Sequence, residues 1–102
     1  MASRSYRIGY NFQRRVKKDL EKQGWFVLTQ PKSAFPDMIC WKPITQNLYS
    51  LMGVECKVNK YLSRAEKEEA NKLLSSGYMS QMLVAYRDGN KLIYYKFEPS
   101  TK

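Results

Sequence analysis

The 102 residues contain no histidine, and that absence closes off several reaction classes at once. Ser-His-Asp hydrolases, histidine-dependent ribonucleases and nucleases that ligate metal through imidazole all require the missing side chain. Any hydrolytic chemistry here must run on carboxylates and lysine. Cysteine is scarce: the two present, Cys40 and Cys56, have neither metal-binding nor redox spacing. By strand parity each points away from its acidic neighbour, Cys40 from Asp37 and Cys56 from Glu55, which reads as buried thiols rather than a disulfide. No apolar run reaches the roughly 18 residues of a membrane span, and Met1-Ala2-Ser3-Arg4 leads into no apolar signal core. A cytoplasmic protein with no membrane partner is expected. Acids are also few, with 9 Asp and Glu against 18 Lys and Arg, a net charge of +9.

That imbalance, with a pI near 9.7, points to nucleic acid as the partner. The cations crowd one segment, where Arg4, Arg7, Arg14, Arg15, Lys17, Lys18 and Lys22 face only Asp19 and Glu21. Ile8, Phe12, Val16 and Leu20 recur every four residues, so the spacing predicts a helix from about Tyr6 to Gln23 with a buried apolar stripe and Gly24 as its stop. The cations fall largely on its other faces, available to phosphates. Arg4 and Arg7 read either as the start of this helix or as a mobile basic arm over residues 1–5. The stripe is needed to close the core, which argues against a membrane-surface helix.

Chemistry is concentrated at Asp37 and at Glu55-Cys56-Lys57. Asp37 opens the apolar run Met38-Ile39-Cys40-Trp41, and Glu55 and Lys57 interrupt Leu51-Met52-Gly53-Val54 and Val58. Both runs read as strands. Residues two apart share a strand face, so Glu55 and Lys57 project together while Val54, Cys56 and Val58 point the other way. Charges in such a setting are costly unless something uses them. Two carboxylates on neighbouring strands can hold Mg²⁺, and a lysine beside them can orient a water or stabilise a phosphodiester transition state. The plain alternative is an edge-strand Glu/Lys pair with an Asp turn residue. Just ahead of Asp37, the proline-bounded loop over residues 30–36 presents Lys32 and Ser33; Asn59-Lys60-Tyr61-Leu62 follows the second strand.

These residues resemble the PD-(D/E)xK nuclease superfamily, and specifically the archaeal-type Holliday junction resolvases, over nearly the whole chain. Gly9-Tyr10-Asn11-Phe12-Gln13-Arg14 is similar to the first-helix signature of that family. Gly24-Trp25-Phe26-Val27-Leu28, then Ser33 four residues before Asp37, then Val54-Glu55-Cys56-Lys57-Val58 continue the likeness. Two positions depart from it. Gln13 stands where the family has a glutamate that completes the active site, and a neutral amide cannot act as an anionic ligand. Thr29 stands where an arginine is usual.

The resemblance implies an α/β, restriction-endonuclease-like fold, a mixed central sheet of about five strands flanked by helices. The coarse order agrees: strands at 25–30, 37–42 and 48–58 with a turn at 43–47, then a helix at 64–75, then strands at 80–87 and 91–97. Ser63 and Glu66 form a capping box for the second helix, Gly77 ends it, and Asp88-Gly89-Asn90 makes a hairpin turn. One nuclease domain over 1–102 is expected, with 98–102 as a tail. The expected activity is Mg²⁺-dependent endonucleolytic cleavage of branched DNA, most simply a four-way junction, with Mn²⁺ able to substitute. Asp37 and Glu55 would hold the metal, with the Cys56 carbonyl as a third ligand by resemblance, and Lys57, Ser33 and Gln13 would complete the catalytic set. Arg4, Arg7, Arg14, Arg15, Lys32, Ser33 and Lys60 would contact DNA. A different nuclease of the superfamily, acting in repair or on mobile elements, and a non-catalytic nucleic-acid-binding module remain as alternatives. A homodimer is expected from the two-fold symmetry of a junction, with Tyr86, Tyr94, Tyr95 and Phe97 as candidate interface residues.

Overall fold

The computed structural model describes residues 4–31 and 33–99, without the side chains of residues 5 and 6. Among the described residues the chain forms two helices and five strands in the order α1 (Arg4–Lys22), β1 (Phe26–Thr29), β2 (Met38–Thr45), β3 (Leu48–Cys56), α2 (Arg64–Ser75), β4 (Gln81–Asp88) and β5 (Lys91–Lys96). The strands lie in the sheet in sequence order. All neighbours are antiparallel except β3 and β4, which run parallel because α2 carries the chain back across the sheet between them.

The two sheet faces bury separate cores. Phe12, Val16 and Leu20 of α1 cover Val27, Met38, Cys40, Met52, Val54 and Ala85 on one face. On the other, Ala70 of α2 meets Leu62, Met79, Met82, Val84 and Phe97. Gly24, at φ 95°, takes the left-handed turn that ends α1, and the Trp25 N–H donates back to the Leu20 carbonyl at 3.1 Å.

Several expectations are corrected. Helix α1 begins at Arg4 instead of about Tyr6, so of the two readings of Arg4 and Arg7 the helix is the one observed; residues 1–3 lie outside the described residues. Ile8, expected in the buried stripe, is 38% exposed, because it lines only an open cleft with Asn11, Phe12, Arg15 and Arg87. The turn expected at 43–47 is shorter: β2 runs through Pro43 to Thr45, and its register with β3 shifts between those two residues. A proline has no N–H for the ladder and is tolerated at such an irregularity. Strand β3 ends at Cys56, so Val58 is exposed rather than facing the core.

Candidate active site

Register alone brings the two acids together. Met38 pairs with Val54 across the β2–β3 hairpin, so the next residues outward on the two strands are Asp37 and Glu55. The Asp37 N–H donates to Glu55 Oε1 at 2.9 Å, and the Cys56 N–H donates to Asp37 Oδ2 at 2.9 Å. Each carboxylate is thus held by the other strand's backbone. The Asp37 carbonyl accepts from the Gln30 N–H at 2.8 Å, and the Gln30 side-chain amide donates to the Pro36 carbonyl at 2.8 Å. Gly53 lets this loop lie flat on β3, since a Cβ there would sit 2.8 Å from Pro36 Cγ and 2.9 Å from Met79 Sδ.

Alternation puts Glu55 on the α2 side of the sheet, and its partners show why burial there is tolerated. Among the described residues Glu55, 6% exposed, is the one buried polar or charged side chain. Burial, then repulsion from Asp37, pushes its carboxyl up from 4.5 to about 8, with a hydrogen bond to Glu66 acting in the same direction. Burial also raises Asp37, against the pull of the Cys56 N–H, the hydrogen bond with Glu55 and the Lys57 charge. Lys57 Nζ lies 2.7 Å from Glu66 Oε2. Partial burial of Glu66 opposes ionisation, but hydrogen bonds from Lys57 and the Ser63 N–H outweigh it and hold that carboxyl below its usual range.

The donor set fits a hard divalent cation. Two oxygen-donor side chains crowd each other in a site that disfavours both charges, and a cation between them would reverse that penalty. Among the described residues no group of three or more His, Cys, Asp or Glu side chains could hold a metal, so the protein's side-chain share would be Asp37 and Glu55. Mg²⁺ commonly takes one or two carboxylates and fills its octahedron with water and phosphate oxygens. Cys40 and Cys56 pack in and against the α1 core as free cysteines, and burial pushes both above their ordinary range, Cys40 to about 12.

The remaining expected residues are dispersed. Gln13 is half-buried on α1, beyond the opposite sheet face from Glu55; it lines a groove with Tyr10, Arg14, Lys17, Glu21 and Thr29. That groove reaches Thr29, the neighbour of Gln30, but no hydrogen bond among the described residues joins Gln13 to the acids. Arg14 is exposed and stacks over the Tyr10 ring at 5.9 Å. Arg15 donates to the Asn90 carbonyl at the β4–β5 turn. Ser33 is exposed in its loop, and Lys32 lies outside the described residues. Lys60, at φ 78°, places its ammonium 5.7 and 5.4 Å from the Tyr61 and Tyr86 ring centres. Tyr94 and Phe97 pack in the cores instead of facing outward, and Tyr86 and Tyr95 are half-buried. Glu66 was legible only as a helix cap. That its second oxygen reaches Lys57 is seen only in the fold.

No family model matches the chain, and no curated protein matches it. The fold is nevertheless defined: a five-stranded mixed sheet with two helices, shared with a solved structure. That structure is Archaeoglobus fulgidus Hjc, a Holliday junction resolvase from an archaeal hyperthermophile, with a TM-score of 0.68 and 18% identity over 86% of this chain and 71% of that one. No described helix is long and apolar enough to cross a membrane.

Proposed function

We propose that this chain is a Mg²⁺-dependent, structure-selective DNA endonuclease that resolves four-way junctions, a single nuclease domain working in the cytoplasm as a homodimer. The observation that carries the reading is the buried Glu55 beside Asp37, each fixed by the other's strand, with Lys57 at the same sheet end. A fold needs no such arrangement, and burying a carboxylate beside another is destabilising unless a cation is recruited. The shared architecture with a Holliday junction resolvase supports the substrate class.

Asp37 and Glu55 would hold Mg²⁺, or Mn²⁺ in its place, with the Cys56 carbonyl as a further oxygen. When bound, the ion would neutralise charge on the scissile phosphate and lower the pKa of a water. Lys57, its side chain 24% exposed, would donate to the attacking water or to a phosphate oxygen and offset negative charge as it builds up. Arg4, Arg7 and Arg14 on α1, with Lys32 and Ser33 ahead of Asp37, would grip the backbone of the DNA.

One observation favours a second reading. Gln13 adds no anion from α1, which would suit a superfamily nuclease with a different DNA substrate, or a module that binds DNA without cutting it. Cleavage assays on matched junction, flap, nicked and linear duplexes, with Mg²⁺ and with chelator, separate the three. A resolvase makes paired, symmetrically placed nicks in the junction alone and sediments near twice 12.0 kDa. Preference for flapped or nicked duplex would favour the other nuclease, and metal-independent binding without cleavage would favour the module.

A further inference from the structure

We propose that Glu66, in the first turn of α2, is the positioning residue that fixes the Lys57 ammonium beside the two acids, an inference that rests on the nuclease reading above. Lys57 lies one residue beyond the end of β3. Its backbone is tied down, with the N–H donating to the Ala85 carbonyl at 2.8 Å, but a four-carbon stem leaves the ammonium many rotamers. The 2.7 Å contact with Glu66 Oε2 selects one of them.

Glu66 is itself immobilised from the other side. Its Oε1 accepts the Ser63 N–H at 2.7 Å, and its own N–H donates to Ser63 Oγ at 3.2 Å, closing a capping box. The connector to Lys57 is pinned as well, since the Tyr95 hydroxyl donates to the Lys60 carbonyl at 2.8 Å. Capping needs one side-chain oxygen and no charge, and glutamine does it as well as glutamate. The second oxygen is therefore surplus to the cap and lies 2.7 Å from Lys57 Nζ, while the side chain also hydrogen-bonds Glu55 and its charge favours the helix N-terminus. The contrast with Arg64 and Glu68 is informative: that pair sits 3.5 Å apart with side chains 95% and 70% exposed, whereas Lys57 and Glu66 are 24% and 22% exposed. A solvated pair of the first kind holds nothing in place.

The test uses the whole chain with Glu66→Gln, Ser63→Ala, Lys57→Ala and the double variant Lys57→Ala/Glu66→Gln. Glu66→Gln keeps the cap's hydrogen bonds but removes a charge favourable at a helix N-terminus, so the melting temperature should fall by no more than a few degrees and the DNA affinity measured in chelator should match the wild type. Its single-turnover cleavage rate with Mg²⁺ should fall about tenfold with KM unchanged, the signature of a contact used in the transition state rather than in binding. Ser63→Ala should show the reverse, a lower melting temperature with the cleavage rate retained. In the Lys57→Ala background, Glu66→Gln should change the residual rate by less than about twofold, because a residue acting through Lys57 has nothing left to position. A wild-type rate for Glu66→Gln alongside a crippled Lys57→Ala overturns the proposal, as does a further drop in the double variant. If the wild type cleaves no DNA, or Lys57→Ala cleaves normally, the nuclease reading itself fails and this inference falls with it.

Discussion

Replacing Glu55 by glutamine should make the protein more stable at alkaline pH while removing any metal-dependent activity. The Glu55 carboxyl ionises at about 8 in the folded chain against an ordinary 4.5, so between those values the folded state holds a proton that the unfolded chain releases. Stability therefore declines as pH rises through this window, and the full contribution is present only below it. At about 1.36 kcal/mol per pH unit the loss is on the order of 3–5 kcal/mol once both states are ionised. Asp37, also raised by burial, contributes with the same sign. The thiols Cys40 and Cys56 do so only above their ordinary 9.0, so the comparison belongs below that value. Urea unfolding in chelator at about pH 5.5 and pH 8.5 should show the wild-type midpoint falling with pH and the Glu55→Gln midpoint falling much less. Adding Mg²⁺ at the higher pH should restore the wild type and leave the variant unchanged, because binding the folded state alone stabilises it. Equal pH slopes in the two proteins would refute the claim that Glu55 is buried at the expense of stability.

Gly53→Ala should cost roughly 1–3 kcal/mol by overpacking, since the added methyl meets Pro36, Met79 and Met82 at 2.8–3.0 Å; thermal melts would show it, and cleavage should fall as Asp37 is displaced. Gln13→Glu should alter the Mg²⁺ concentration that half-saturates cleavage if the α1 groove opens toward the metal, and indifference of both rate and metal dependence would place the residue outside the catalytic set. DNA affinity should fall about a thousandfold between roughly 50 and 200 mM salt for a surface contacting some six phosphates. Arg14→Ala should flatten that slope more than Arg15→Ala, because Arg15 is engaged with the Asn90 carbonyl; a flat wild-type profile would contradict a phosphate-tracking helix.

Local chemistry in the sequence reached most of the elements. The recurrence of Phe12, Val16 and Leu20 and the stop at Gly24 are enough to define α1, and Ser63 with Glu66 marks the start of α2. Asp37 and Glu55 meet because a hairpin between two apolar runs has few registers that keep both faces buried. What escaped depends on how elements sit against one another. Ile8 has the right spacing for the core but lines an open cleft, and Pro43 reads as a turn because the register shift that accommodates it is set by the neighbouring strand. Tyr94 has the alternation of an outward residue only if α1 is ignored; its hydroxyl donates to Asp19 Oδ2 at 2.8 Å. Glu66 is adequately explained as a cap until the end of β3 is seen beside it. The two acids of the candidate site were visible as charges in apolar runs, whereas the Glu66 contact with Lys57 required the third dimension.

The most direct test of the nuclease assignment is cleavage of a four-way junction by the wild type, Asp37→Ala and Glu55→Ala at equal protein concentration, with Mg²⁺, alongside DNA binding by the same samples in chelator. The wild type should cleave, and each variant should lose at least about three orders of magnitude in rate while keeping its DNA affinity, since on this account the carboxylates would hold the metal and cations elsewhere would hold the DNA. Normal cleavage by Glu55→Ala, or no cleavage of any DNA by the folded wild type, would contradict it.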